Sequence, residues 1–181
     1  MGNYSNVMLI SPAKVKEYGE INLNLDESKL GAAIRTSQNV YLVDIIGKDL
    51  VEHLQQLVFN KISGEDSGNT IDTEDNAAYK ALLEDYVQPA LAYRSAVELC
   101  ISNSLKIRNM GVIKNSDTNV NAVDTNDYIR LRQYYETFFV DVANKMMTFL
   151  CENKAAFMEL PDGFCTCERK PLYARTNLWL G

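Results

Sequence analysis

The chain has 181 residues, enough for one domain with extensions, and 46% of them are hydrophobic, which excludes a chain too polar to bury a core. Twenty-four acids against 18 bases leave a net charge of −6, which argues against a nucleic-acid-clamping surface, since that needs a basic stripe. No apolar run approaches the ~18 residues of a membrane span, and Met1–Ser11 lacks the basic start and apolar stretch of a signal peptide; the expectation is a membrane-free protein made in the cytosol.

Ser11 and Pro12 open a short helix, as N-cap and first helical residue, and Gly19 closes it. Residues 21–25 read as extended. Asp26 then caps a long helix whose positions Leu30, Ala33, Ile34, Ser37, Val40 and Tyr41 follow the 3.6-residue period up to Gly47. From Asp49 a further helix places Leu50, Leu54, Leu57 and Val58 on one face. The segment 63–72 is acidic and rich in Gly and Ser, with little to bury, and reads as a mobile loop. Residues 1–75 carry 12 acids and 6 bases, with Glu65, Asp66, Asp72, Glu74 and Asp75 as their densest acidic stretch, and residues 76–181 carry 12 of each.

Thr73 caps a helix running through Tyr79, Leu82, Leu83, Tyr86 and Val87 to Pro89, and the pattern resumes with Leu91, Val97, Cys100, Ile101 and Leu105. Proline removes a helical hydrogen bond and crowds the preceding turn, so a kinked helix or two abutting helices are expected there, ending at Gly111. Residues 112–124 mix β-branched residues with turn formers and read as a loop or short hairpin. The last helix runs from Asp124 or Thr125 to about Asn153. Tyr128, Leu131, Tyr135, Phe138 and Val142 form its expected core stripe, with Tyr134 and Phe139 beside it. A helix this apolar is buried on most sides, by its own domain or by a neighbouring subunit. The fold class is therefore mainly α: a bundle of about four to five helices over residues 1–160, with a short hairpin or loop excursion and an extended C-terminal tail over 161–181. From residue 169 onward, Arg169, Lys170 and Arg175 meet no acid, and Leu178, Trp179 and Leu180 form an apolar end.

Chemistry is sparse. His53, the one histidine, stands beside an apolar helix face with no nucleophile motif, and reads as a surface or capping residue. Cys165 and Cys167 are too closely spaced for a structural zinc pair, and no second pair follows. The four cysteines are read as reduced, with Cys100 and Cys151 as small hydrophobes. Asp117, Asn119 and Asn121 begin like a calcium loop, but Ala122 replaces its glycine and Tyr128 its bidentate glutamate. No dinucleotide or phosphate loop occurs. The reading is a non-enzymatic protein with no cofactor and no metal.

Three stretches carry a resemblance: residues 9–21 (LISPAKVKEYGEI), residues 24–50 (NLDESKLGAAIRTSQNVYLVDIIGKDL), and the run Tyr86-Val87-Gln88-Pro89. Over about residues 8–150 the chain resembles the head–tail connector, or adaptor, subunits of tailed bacteriophages, particularly the small connector proteins of crAss-like phages. In that family a short N-terminal helix leads through an Asp-containing turn to a longer helix that ends at Leu-Gly or Ile-Gly; Ser11–Tyr18, Asp26 and Ile46-Gly47 stand in those places. The resemblance implies a virion protein, assembled in the host cytoplasm as a homo-oligomeric, dodecameric ring between the portal protein and the tail or next ring protein, with DNA passing through without sequence-specific contact. The interface residues expected on this reading are Arg169, Lys170, Arg175, Leu178, Trp179 and Leu180 of the tail, steered by acids such as Glu65 and Asp66 of a neighbour. The alternative is a small helical regulatory or adaptor protein that binds one protein partner.

Overall fold

The structure, a computed structural model, describes residues 6–19, 27–64, 68–108, 111–114 and 125–165. Over these residues the chain is mainly α, with five helical rods. The first is α1 (Pro12–Tyr18), where the Ser11 hydroxyl accepts from the Lys14 N–H at 3.3 Å and Pro12 occupies the start. The second is α2 (Glu27–Thr36), which passes through a π-helical turn, Ser37–Leu42, into α3 (Val43–Ile46). Gly47 breaks it at φ 89°, a conformation that suits a residue without Cβ, and α4 (Lys48–Ser63) follows at once.

The fourth rod begins with α5 (Ala77–Ala81), passes through a second π turn, Leu82–Val87, and continues as α6 (Gln88–Ser104). The helix thus runs on through Pro89. The wide turn just before the proline makes room for its ring where a regular α-turn would clash with the preceding carbonyls. A two-stranded antiparallel hairpin follows, β1 (Leu105–Arg108) and β2 (Gly111–Lys114), with Leu105 opposite Lys114. The hairpin therefore begins earlier than the 112–124 expected, and Leu105 belongs to a strand and not to the helix. The last rod is α7 (Thr125–Glu152).

α6 lies at the centre, against α1, α2 and α7. The expected core positions Leu30, Ile34, Leu50, Leu54, Leu57, Leu82, Leu83, Leu91 and Val97 are all buried. Two apolar patterns are corrected. Ser37 is buried as expected, but Val40 is 56% exposed, because the π turn adds a residue and rotates the helix, so that Gln38 also faces inward while Leu42, Ile45 and Ile46 fill the core. On α7 the buried stripe is Phe139, Ala143, Met146 and Leu150, and not the stripe through Leu131 and Phe138.

The loop after α4 is only partly as expected. Residues 65–67 lie outside the described residues. From Gly68 onward the chain is anchored: Ile71 is buried and donates its N–H to the Leu57 carbonyl at 3.3 Å. The Asn76 amide donates to the Thr70 carbonyl at 2.8 Å and to the Asn69 side-chain oxygen at 3.0 Å, and Asn60 donates to the Asn69 carbonyl at 2.8 Å. After α7 the chain turns back, burying Phe157, Leu160 and Phe164. Cys151 and Cys165 form a disulfide with Cα atoms 5.4 Å apart, correcting the expectation that both are reduced thiols. The chain is thus packed on the helices as far as Cys165.

Candidate functional site

His53 projects from α4 into a small polar cluster. Its Nδ1 lies 3.4 Å from the Glu159 carboxylate, and its ring centroid lies 4.7 Å from that of Tyr79 on α5. The Tyr79 hydroxyl donates to Glu159 Oε2 at 2.9 Å, and its ring meets Phe157 edge-on. Burial, then the hydrogen bond and negative charge of Glu159, hold the phenol above its ordinary pKa of 10.0. A phenol so held is a donor and not a nucleophile. Through it the C-terminal turn is fastened onto α4 and α5, so His53 is a half-buried fastening residue rather than a surface or capping one.

A second polar cluster grips the N-terminal segment. Residues 7–9 precede α1 among the helices, where their backbone groups must find partners. Gln38, in the first π turn, accepts from the Leu9 N–H at 2.9 Å and donates to the Val7 carbonyl at 3.0 Å. Gln55 of α4 donates to the same carbonyl at 3.0 Å, and Gln88 donates to the Leu9 carbonyl at 3.1 Å while accepting from Lys14 Nζ at 2.7 Å. All three glutamines are buried. The sequence marks none of them as a polar fastening, Gln88 figuring there only within the run 86–89; the one signal is a glutamine standing on an otherwise apolar helix face.

Nearby, Arg94 of α6 is buried with its guanidinium 3.5 Å from the ring centroid of Tyr41 and paired to Glu98 at 2.6 Å. Its Nε finds no hydrogen-bond partner among the described residues. The cation is held by an aromatic face and one carboxylate, an arrangement that joins α2–α3 to α6.

The outer surface of α7 is different in kind. Leu131, Tyr134 and Phe138 are 47, 53 and 38% exposed, and their i, i+3, i+7 spacing puts them on one face, well round from the buried stripe. Phe138 stacks on Tyr93 of α6 at 5.2 Å, and Tyr134 meets Phe138 edge-on at 4.7 Å. The result is an exposed aromatic row that spans two helices. Tyr93 was missed in the sequence because a single tyrosine in an apolar helix carries no sign of which neighbour it meets.

The residues expected to form an interface, Arg169, Lys170, Arg175, Leu178, Trp179, Leu180, Glu65 and Asp66, all lie outside the described residues, as does Cys167. Of the acidic stretch, Asp72 is engaged by Lys61 at 2.7 Å and Lys80 at 2.9 Å, whose hydrogen bonds hold its carboxyl below the usual carboxylate range. Glu74 and Asp75 are exposed. Burial raises the pKa of the Cys100 thiol, against a smaller opposing effect of Arg132. Among the described residues no group of three or more His, Cys, Asp or Glu side chains could hold a metal ion, and no helix is long and apolar enough to cross a membrane.

Residues 42–170 match the model of a family of unknown function, DUF6712. The chain belongs to that family. The DUF6712 match opens in the first π turn at Leu42 and runs through α7 to Lys170, so it takes in the His53 cluster, Arg94, the aromatic row and the disulfide. It leaves out α1, α2 and Gln38, so in DUF6712 terms the glutamine grip joins a segment before the match to two residues, Gln55 and Gln88, inside it. No curated protein and no solved structure matches the chain.

Proposed function

We propose that this chain is a structural subunit of a homo-oligomeric ring in the head–tail connector of a tailed phage, joining portal to tail around the exiting DNA. The single observation that carries the assembly part is the exposed row of Tyr134 and Phe138, with Tyr93 stacked on Phe138 and Leu131 exposed on the same face. Aromatic side chains set side by side on a surface lose water when a partner covers them, and such residues are enriched at protein interfaces. The connector part rests on the resemblance of residues 9–21, 24–50 and 86–89 to that family. The net charge of −6 suits a channel past which DNA slides without sticking, since phosphate is repelled rather than bound. No enzymatic step belongs to this reading. His53, Tyr79 and Glu159, the groups best placed to move a proton, are bonded to one another and packed on Phe157.

Mass measurement across a concentration series, together with immunogold labelling of purified phage particles, tests the proposal. Closed oligomers and label at the vertex between head and tail are expected. A monomer at every concentration that instead captures one soluble partner contradicts it and favours the regulatory or adaptor reading.

A further inference from the structure

We propose that the aromatic row on α7 is the seat for the apolar chain end, Leu178-Trp179-Leu180, of a second copy. The inference rests on the assembly reading above and names the surfaces that make the contact. The described chain ends at Cys165, which the disulfide ties to Cys151 on the last turn of α7. The row lies 13 to 20 residues back along the same helix, about 20–30 Å at the α-helical rise. Leu178 lies thirteen residue steps beyond Cys165, and fully extended that stretch spans roughly 45 Å. That reach covers the row of its own subunit and one on a second copy alike; the assembly reading selects the second copy, and the concentration dependence below separates the two.

Its origin and the row sit at different places along α7, so donor and acceptor surfaces differ. A contact between unlike surfaces is heterologous, and when its rotation closes it generates a ring. A tryptophan flanked by two leucines fits an aromatic seat in kind: it offers a large rigid ring for edge-on or stacked contacts with Tyr134 and Phe138, the sort of anchor that dominates interface energy. The acidic stretch 65–75 is the weaker seat, because Asp72 is already held by two lysines of its own subunit.

Trp179 is the one tryptophan in the chain, so its emission reports on the tail alone. The test is a dilution series of the full-length protein, read by tryptophan emission and light scattering together. The expected result is a blue shift that rises with concentration in step with mass. Replacing Leu131 and Tyr134 with serine, at positions about half exposed, should leave helicity unchanged and raise the midpoint concentration tenfold or more, while Tyr134→Phe keeps the wild-type midpoint. An unchanged midpoint in the serine variant overturns the inference, and so does a blue shift independent of concentration, which places the tail on its own subunit. If mass rises without any change in emission, assembly stands and this seat falls. If mass stays that of one subunit and emission stays that of an exposed ring, both fall.

Discussion

Gln38, Gln55 and Gln88 hold the segment before α1 by its backbone. A buried backbone group that loses its partner forfeits the full desolvation of that group, about 1–3 kcal/mol. Gln38→Leu strips the Leu9 N–H of its acceptor, so a loss of that size is expected in urea denaturation; an unchanged midpoint and slope would show that the segment contributes nothing to stability. Tyr79 makes a pH prediction. Its pKa in the folded protein lies above the ordinary 10.0, so the folded state holds the phenolic proton more tightly than the unfolded chain does. That contribution is complete below the ordinary value and is lost as pH rises past it. Thermal melts of Tyr79→Phe should therefore fall less steeply than wild type above pH ~10, whereas parallel profiles would contradict the role given to Glu159. At this scale little was legible in the sequence. His53 stands out as the one histidine, but its partners lie 26 and 106 residues away in the chain, and only the fold brings them together.

At the scale of elements, the 3.6-residue period located the helices, because a helix beside a core must keep one face apolar. Where that face points was less legible. Each π turn adds a residue without leaving a sequence mark, so Val40 turned outward and Gln38 inward. On α7 two stripes obey the same period, and packing against α6 selects the one through Phe139 and Met146. The rod through Pro89 is the centre of the bundle. Leu83→Ala, at a buried position on its second π turn, should lower stability by about 2–5 kcal/mol, and a melt within error of wild type would remove Leu83 from the core. The C-terminal turn is held by packing, by Glu159 and by the disulfide, whose cysteines are 14 residues apart. A closed loop of that size is worth about 3 kcal/mol in the chain-entropy account, so Cys151→Ser should shift the denaturation midpoint accordingly. Equal stability under reducing and oxidising conditions would argue against the cross-link. The pairing was hidden in the sequence because Cys151, in an apolar helical setting, looks like any small hydrophobe, and Cys165 stands in a segment that reads as an extended tail.

For the whole molecule, the polar groups that sequence chemistry might have enlisted are turned inward as fastenings, and the unusual feature is an aromatic row turned outward. The mainly α class and the number of rods were legible; the surface that distinguishes the protein was half-legible, since the aromatics of α7 were visible but their exposure was not. The claim that this surface serves assembly, with the chain end as its partner, is tested most directly by the mass in solution of the full chain beside a form lacking residues 169–181. The account predicts that the full chain forms closed oligomers of one size, while the shortened form stays a monomer with the same helicity and melting temperature. Oligomers of the same size from both forms would contradict it.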